Sequence, residues 1–527
     1  MSVGKGVISD VKSGAESKKV KNGLVIPTGN LPYLAEMKNI RAILIVTAAI
    51  LVSTFLHLHV FTLPIQGKDS WRQSKTAWNI RYFVRHDSNI LNPRQPYLNS
   101  GDNIVRYEFP IMQWSIAMVE KITGEHIIVL RSMIFLISLL TLFAVFKLAL
   151  LLSENLDVAA ITLWIFAFLP TFFYNATNIM PDALALCFGM YYVLFFFRYL
   201  KSTKRKDLLY SALFIALAGL AKLPYILLGV LSVIRAIGIM FNRQPKRWRE
   251  LASFTFIKAI ALLPVLAWYA MVIPKWTDNN ITVGFIKDFV GWPLFIEFLK
   301  NHLLFNFPKE ILNIPALILL LTGVFIIIKS KKLFFLKPVY FFIPLLVLFL
   351  YFFYILNVIR EGHEYYLMPF YPIFILPIIV TVYTMWQWKM AGKIIVGIFL
   401  FTMPFVCWNQ EKDYWDVKFA YYNKDFFNCR VELEKIGNRD DLAVFINDDS
   451  GAILPYIADK SGYIFWNNHL PILWLKDMYT NLGARYLYSD SRIVEEQEGF
   501  NDCVSGIVLE CGTLKVFKLK APSEIQQ

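Results

Sequence analysis

Repeated apolar segments, each long enough to cross a lipid bilayer, constrain the fold of this chain more than any other feature. A transmembrane helix needs about 20 consecutive apolar residues. Of the 527 residues, 57% are hydrophobic and 17% are charged, which is unlike an ordinary soluble domain. We therefore predict an α-helical polytopic membrane protein with about 11 transmembrane helices. The predicted spans lie near residues 42–61, 127–152, 158–176, 181–200, 208–221, 223–241, 252–273, 311–328, 338–358, 367–387 and 393–409.

The basic residues indicate which side of the membrane each loop faces. Lys and Arg, which give the net charge of +14, cluster in short loops between spans, a pattern typical of topology signals rather than of a nucleic-acid-binding face. The clusters at 201–206 and 243–249 should both be cytoplasmic, so the chain between them crosses the membrane twice. Lys222 then lies at the outward tip of a short hairpin. The same reasoning places these segments outside: 62–126, 177–181, 274–310, 359–366 and 410–527.

The chain divides into three regions. Residues 1–40 form a polar tail, predicted to be cytoplasmic, that lacks the early apolar segment of a cleavable signal peptide. Residues 41–410 form the transmembrane domain. From about residue 411 the composition becomes that of a soluble protein, and we predict a small extracytoplasmic α/β domain over 411–527. Its predicted strands lie near 442–446, 463–466, 485–488 and 514–519.

Three of the five cysteines lie in this C-terminal domain. Cys503 and Cys511 can form a short-loop disulfide if the domain faces an oxidising compartment, which would leave Cys429 unpaired. The sequence contains no Cys-x-x-Cys motif and no His/Cys spacing typical of a metal site.

The long outer loop 62–126 is the most informative stretch of the chain. Loops of this length are uncommon unless they are functional or disordered, and its content of Trp, Tyr, Phe and Ile argues against disorder. Residues 70–85 and 110–123 are predicted to form two amphipathic helices that lie flat on the bilayer, aromatic side down. Residues 274–310 show a similar pattern. We interpret loop 62–126 as half of an active site.

Ionisable residues from distant parts of the sequence meet at the outer face in this topology. Each has a structural explanation when taken alone. Asp182 can interact favourably with the dipole at the start of a helix. Lys222 can extend its ammonium to the membrane interface, and His363 can be a hydrogen-bonded interfacial histidine. Together they favour a site, because charged groups at a membrane boundary are costly. A carboxylate there can deprotonate a hydroxyl, and cations can hold an anionic leaving group. The candidates are Asp69, Glu108, Asp182, Lys222 and the segment 360–366.

The order of these motifs resembles a known family. Asp69 in a long outer loop is followed by RYEFPIMQW, by MPDALALCF at the start of a span, by the hairpin tip AKLPYILLG and by GHEYYLMPFYPI at the start of a late span. This arrangement is similar to that of the GT-C membrane glycosyltransferases of the protein O-mannosyltransferase and lipid A aminoarabinose transferase type. The resemblance covers roughly residues 69–373. It implies transfer of a sugar from a polyprenyl-phosphate carrier, typically with inversion, to an extracytoplasmic acceptor.

The resemblance also implies roles for individual residues. Asp69 matches the catalytic aspartate of the first outer loop, the expected general base. Glu108 and Asp182 match two further acidic positions, which would orient the acceptor or the sugar, or hold a divalent metal ion. The residues expected to contact the carrier phosphate or the sugar are Lys222, Arg360, His363 and Tyr365.

Two departures from the family pattern affect these roles. Many relatives have Asp-Glu where this chain has Asp69-Ser70, which weakens the case for a paired-carboxylate mechanism. Many also have Lys where this chain has Phe109. Because this lysine is absent, we expect Arg72, Arg106 or Lys222 to contact the carrier phosphate instead.

The sequence therefore predicts an inverting, polyprenyl-phosphate-dependent glycosyltransferase of the cytoplasmic (inner) membrane, with its catalytic face and C-terminal domain outside. Its predicted partners are the lipid-linked donor, the bilayer and an acceptor that is a glycan, lipid or protein, with no nucleic acid. A transporter or flippase of a lipid-linked or anionic solute is the alternative, and it predicts ionisable groups at mid-bilayer rather than at one rim. A third interpretation is a non-catalytic scaffold whose outer domain binds a partner.

Overall fold

A computed structural model describes residues 31–99, 102–241, 247–276, 280–287, 289, 291–330, 337–359, 362–388 and 390–520. Arg360 and most of the predicted cytoplasmic tail lie outside the described residues. Up to residue 411 the described chain is helical, with these bounds: Leu31–His57, Ser70–Arg85, Ile111–Thr123, Ile127–Ser153, Leu156–Ala167, Pro170–Asn175, Asp182–Ser202, Arg205–Ala221, Leu223–Gly229, Val230–Met240, Arg247–Val272, Ile273–Lys275, Asn280–Lys287, Trp292–Asn301, His302–Ile311, Asn313–Lys329, Val339–Tyr354, Leu356–Ile359, Glu364–Phe370, Tyr371–Gln387 and Met390–Glu411.

All eleven predicted spans coincide with helical residues, which confirms the class of polytopic membrane protein. Within the described ranges, seven helices are long and apolar enough to cross a membrane. The number becomes eight if Trp292–Ile311 and Asn313–Lys329, which are bent by 108°, count as one span. The predicted span 158–176 is divided before Pro170, where the missing backbone N–H ends the preceding helix. The total of eleven crossings remains a prediction.

The two predicted outer-loop helices are present. The first outer-loop helix is Ser70–Arg85, as predicted, and the second is Ile111–Thr123, which ends at Gly124 with a positive φ of 88°. Trp78 and Phe83 of the first helix are buried inside the protein, so they do not face a bilayer surface as the sequence pattern suggested. This helix packs between the second outer-loop helix and the C-terminal domain.

The C-terminal domain is built on a five-stranded sheet, which confirms the predicted small α/β domain. In chain order the strands are β1 (Leu442–Ile446), β2 (Gly462–Phe465), β3 (Ala484–Ser489), β4 (Val504–Cys511) and β5 (Leu514–Leu519). Their order in the sheet is β2-β1-β3-β5-β4, with β1 parallel to β2 and β3, and β5 antiparallel to β3 and β4. Strand β4 was not predicted because it is an edge strand, largely exposed, without apolar alternation. The domain also contains short helices at Val417–Phe419, Asp425–Asn428, Arg430–Leu433, Ile453–Ala458, Ile472–Thr480 and Arg492–Glu495.

The disulfide joins Cys429 to Cys511, and not Cys503 to Cys511 as the spacing suggested. Cys503 directly precedes β4 and Cys511 is its last residue, so the two lie roughly 25 Å apart at the rise of an extended strand. Bridged cysteines need Cα atoms within about 7 Å. Cys503 is a buried free thiol. The bridge connects the segment that leaves the last transmembrane helix to the far edge of the sheet.

The first outer loop extends the same sheet at its other edge. The amide of Leu98 donates to the carbonyl of Gly462 at 2.8 Å, and the amide of Gly462 donates to the carbonyl of Pro96 at 3.0 Å. Asn99 adds two side-chain hydrogen bonds to the backbone of Ile464. The loop that contains the predicted active site is therefore bonded directly to the C-terminal domain.

Candidate active site

Asp69 lies at the end of a tight connection between the first span and the first outer-loop helix. Its backbone is in the left-handed region, with φ of 59°, which Asp and Asn tolerate better than most residues. Gly67 precedes it against the linker that follows the last span, where a Cβ atom would lie 2.2 Å from the carbonyl oxygen of Tyr414. The amide of Lys68 donates to that same carbonyl at 2.8 Å. Asp69 is thus positioned by the connection after the first span and by the linker after the last span, which contact each other at Gly67, Lys68 and Tyr414.

The Asp69 side chain is 4% exposed. Burial raises the pKa of its carboxyl to about 7, an effect that Lys68 partly opposes and that the charges of Glu364, Asp182 and Glu310 reinforce. A carboxylate with a pKa near 7 is suited to accept a proton at neutral pH. This is the property that the predicted general base requires.

Lys68, which sequence reasoning did not select, joins two acidic residues from distant loops. Its ammonium lies 2.9 Å from the carboxylate of Glu364 and 3.6 Å from that of Glu310, over the ring of Tyr414 at 4.2 Å. Burial lowers the pKa of Lys68, but these two carboxylates outweigh it and hold the pKa well above its usual value. Lys68 is therefore a permanent cation beside Asp69.

Asp182 and Lys222 form a buried ion pair, with 2.9 Å between the Lys222 ammonium and the Asp182 carboxylate. Asp182 is the first residue of its helix, and Lys222 lies between the helices Arg205–Ala221 and Leu223–Gly229. The ammonium also lies over the rings of Tyr365 and Tyr366, 5.1 and 4.7 Å from their centroids. Residues at the ends of four predicted spans thus contribute to one polar cluster.

Arg72 and Glu108 form a second ion pair, at 2.5 Å. Glu108 also accepts a hydrogen bond of 3.1 Å from the side-chain amide of Gln113. Burial raises the pKa of Glu108, but Arg72 and Lys222 outweigh it, so the net shift is downward and Glu108 is an anion. Arg72, Glu108 and Lys222 line one cavity, so the two ion pairs lie close to each other.

A cavity of about 760 Å³ opens at these two ion pairs. Arg72, Lys75, Glu108, Lys222 and His363 contribute its charged and polar groups. The rest of its wall is aliphatic and aromatic: Trp71, Tyr107, Leu223, Pro224, Ile226, Leu227, Tyr269, Ile273, Trp276, Tyr351, Tyr354, Ile355, Val358 and Tyr366, with Ile281 and Thr282. Neither Asp69 nor Asp182 lines the cavity; Asp182 lies directly behind Lys222. The cavity combines a cationic end with an apolar wall, as an amphipathic anion requires.

Two other predicted residues contact this region. His363 lies 5.4 Å from the ring of Trp71, and burial lowers its pKa to about 4 despite the opposing effect of Glu364, so its imidazole is neutral. The hydroxyl of Tyr365 is buried, and among the described residues it has no hydrogen-bond partner. Lys75, one turn after Arg72, also lines the cavity and was missed. Burial and Arg72 lower the pKa of Lys75 to about 8.

Arg106 is not brought into the cluster. Its guanidinium donates to the carbonyl of Leu91 at 2.7 Å and to the side chain of Asn92 at 3.2 Å, inside the outer loop. Phe109, which occupies the position of the lysine found in many relatives, packs edge-on against Trp268. The cations that line the cavity are therefore Arg72, Lys75 and Lys222.

No group of three or more His, Cys, Asp or Glu side chains among the described residues is arranged to hold a metal ion. Asp182 and Glu108, the two acids considered as metal ligands, each contact a cationic side chain instead. The possible divalent metal ion remains a prediction.

Comparisons with known proteins agree with this fold. Residues 108–269 match the sequence model of the family described as dolichyl-phosphate-mannose-protein mannosyltransferase. The solved structures of ArnT from Cupriavidus metallidurans, in the apo state and bound to undecaprenyl phosphate, each superpose with a TM-score of 0.59 at 12% identity, covering 90% of this chain and 97% of theirs. An oligosaccharyltransferase from Archaeoglobus fulgidus, in complex with Zn and sulfate, gives a TM-score of 0.50 at 11% identity, covering 91% of this chain and 73% of that one. No curated protein matches the chain in sequence.

The fold is that of the GT-C membrane glycosyltransferases. The resemblance predicted from the motifs is therefore confirmed, with an ArnT-like architecture and the mannosyltransferase family pattern over the segment that contains Glu108, Asp182 and Lys222.

Proposed function

We propose that the protein is an inverting glycosyltransferase that transfers a sugar from a polyprenyl-phosphate carrier to an acceptor outside the cytoplasm. The main support is the 760 Å³ cavity, which has Arg72, Lys75 and Lys222 at one end and an apolar wall along the rest. A lipid-linked sugar phosphate has the matching distribution of charge and hydrocarbon. The ArnT structure described as bound to undecaprenyl phosphate shows that this fold can accommodate such a lipid.

The proposed reaction uses the protonation states found in the site. Asp69 accepts the proton of the acceptor hydroxyl, and the hydroxyl oxygen forms a bond to the anomeric carbon of the sugar. The bond from that carbon to the phosphate oxygen breaks, and its electron pair leaves with the polyprenyl phosphate. Attack opposite the leaving group inverts the anomeric configuration. Arg72 and Lys222 stabilise the negative charge that develops on the departing phosphate.

The remaining acidic residues have a positioning role in this proposal. Glu108 holds the Arg72 guanidinium at 2.5 Å, and Asp182 holds the Lys222 ammonium at 2.9 Å. Each acid therefore orients a cation toward the carrier phosphate. His363 completes the wall beside the sugar, and the ring of Tyr365 lies under the Lys222 ammonium.

Two observations support an extracytoplasmic orientation of the site. The C-terminal domain contains a disulfide, which forms and persists in oxidising compartments. The same domain is hydrogen-bonded to the outer loop that holds Asp69. We therefore place both on the outer side of a cytoplasmic (inner) membrane.

The test uses purified full-length protein and undecaprenyl phosphate. We expect binding of the lipid phosphate to weaken at least tenfold in Arg72→Gln and Lys222→Gln, because each removes a charge-assisted contact. Arg485→Gln, an exposed arginine on β3, is the matched control and should bind normally. Release of undecaprenyl phosphate from undecaprenyl-phosphate hexoses and pentoses, measured with each lipid, tests transfer. Tight lipid binding without release of any sugar would favour the transporter interpretation over the enzyme.

A further inference from the structure

A second cavity, of about 630 Å³, lies on the opposite face of the first outer-loop helix. Arg72 lines the first cavity and Arg81 the second. Nine residues of an α-helix correspond to half a turn beyond two full turns and to about 14 Å along the axis. The two side chains therefore point in opposite directions. The helix is a wall shared by both cavities.

The second cavity lies between the outer loop and the C-terminal domain. Its walls come from both outer-loop helices, the start of the helix Ile127–Ser153 and the domain segments around 434–439 and 456–460. The lining side chains are mainly charged and polar, in contrast to the apolar wall of the first cavity. A hydrocarbon chain would leave these groups without water or partners, so the cavity does not suit a lipid.

The arginines of this cavity already contact carboxylates. The carboxylate of Asp459 lies 2.8 Å from Arg81, 2.7 Å from Arg85 and 3.2 Å from Arg439. Arg85 also contacts Glu125 at 2.7 Å. A phosphate or carboxylate ligand at the arginines would have to displace these pairs. The ammonium of Lys460, which also lines the cavity, donates a hydrogen bond to the backbone carbonyl of Asn438.

Glu120 is a buried carboxylate of this cavity that has no ion pair among the described residues. Its side chain lines the cavity and belongs to a residue that is 4% exposed. One carboxylate oxygen accepts a hydrogen bond of 3.2 Å from the backbone amide of His126. No cationic side chain among the described residues lies within 4 Å of Glu120. A buried carboxylate without a cation needs hydrogen-bond donors, which a ligand in the cavity would supply.

We infer that this cavity is a second, carbohydrate-binding site, in which Glu120 accepts hydrogen bonds from the hydroxyl or amino groups of a saccharide. This inference rests on the proposed function, because the saccharide would be the non-reacting part of a glycan acceptor whose terminal hydroxyl reaches the first cavity. Hydroxyl-rich ligands suit a polar cavity whose arginines already contact carboxylates.

The test measures saccharide binding to purified full-length protein by saturation-transfer NMR. The probes are four oligosaccharide series: maltose-type (neutral), chitin-type (N-acetylated), chitosan-type (free amine) and galacturonate-type (acidic). We expect binding of at least one of the first three series, in preference to the acidic one, and a loss of about tenfold or more in Glu120→Gln, because a charge-assisted acceptor is removed. Glu434→Gln, exposed at the rim of the cavity, should lose less, about threefold.

Glu432→Gln, an exposed glutamate outside the cavity, is the matched control and should bind as the unmodified protein does. Preference for the acidic series, absence of binding by all four series, or binding that Glu120→Gln does not weaken would each overturn the inference. Undecaprenyl phosphate binding, measured on the same preparations, separates the two proposals. If the lipid binds and no saccharide does, only the second site is refuted; if the lipid does not bind, the proposed function itself fails.

Discussion

Replacement of Asp69 by Asn tests the central chemical step, because it removes the proton acceptor while leaving the backbone undisturbed. Asn tolerates the left-handed backbone at this position, where φ is 59°, about as well as Asp does. A positioned general base contributes roughly 10²- to 10⁴-fold to a rate. We expect release of undecaprenyl phosphate from its sugar to fall by a factor in this range. In the unmodified protein the rate should decline as the pH falls below about 7, since the pKa of Asp69 is raised to about 7.

The same substitution should stabilise the folded protein, because an ionised carboxylate is costly in this buried position. Folding raises the pKa of Asp69 from 3.8 to about 7, so the folded state binds the proton more tightly and loses stability as the pH rises between these values. At 1.36 kcal/mol per pKa unit, the penalty is about 4 kcal/mol above pH 7 and about 2 kcal/mol near pH 5.5. Asn cannot ionise, so the Asp69→Asn variant does not lose this stability as the pH rises.

The measurement is thermal unfolding of the purified protein and of Asp69→Asn at two pH values, near 5.5 and near 8.5, together with the release assay. The stabilisation by Asn should be larger at the higher pH. Asp102→Asn, an exposed aspartate of the same loop, should change neither activity nor stability. If Asp69→Asn kept more than a tenth of the activity, or were less stable than the unmodified protein at the higher pH, the assignment of Asp69 as a buried base would be wrong.

Three further predictions follow from the ion pairs, the disulfide and the orientation. Lys222→Met leaves the Asp182 carboxylate buried without its cation and should destabilise the protein by about 3–5 kcal/mol, measured by thermal unfolding. The double variant Lys222→Met with Asp182→Asn should regain this stability but should not regain binding of the lipid phosphate. Denatured, unreduced protein should react with a maleimide at three of its five cysteines, and at all five after reduction, since Cys429 and Cys511 are bridged; five reactive thiols before reduction would refute the bridge. Alkaline phosphatase fused after residue 520 should be active, and a cytoplasmic C-terminal domain would make it inactive.

Much of the transmembrane architecture was predictable because hydropathy and basic loops act locally along the chain. The bilayer requires apolar helices, so segments such as 127–152 and 367–387 appear in the sequence at almost their final bounds. The pairing of Asp182 with Lys222 was also anticipated as proximity, because both residues were assigned to the same side of the membrane. The predicted topology showed only that both residues lie at the same face of the membrane. Helix packing determines the 2.9 Å contact between them.

The contacts of Lys68 could not be predicted in the same way. Its two acidic partners, Glu310 and Glu364, come from loops more than 200 residues away, and no local pattern distinguishes them from surface charges. The choice between Arg72 and Arg106 depended on tertiary folding: Arg72 lies on a helix that turns it into the cavity, whereas Arg106 bonds to Leu91 and Asn92 within the loop. Lys75 was accessible to sequence reasoning, because it follows Arg72 by one helical turn and shares its face.

The C-terminal domain has a structural role in the site that its sequence does not suggest. The first outer-loop helix buries polar residues, including Gln73, Ser74 and Asn79, and a polar helix of 16 residues is marginal by itself. Apolar packing in a bilayer cannot hold such a helix. The C-terminal domain stabilises this helix in two ways. Asp459 forms ion pairs with Arg81 and Arg85, on the face opposite Arg72, and β2 forms hydrogen bonds with loop 96–99. The cation proposed to hold the carrier phosphate is therefore positioned by a soluble domain more than 350 residues further along the chain.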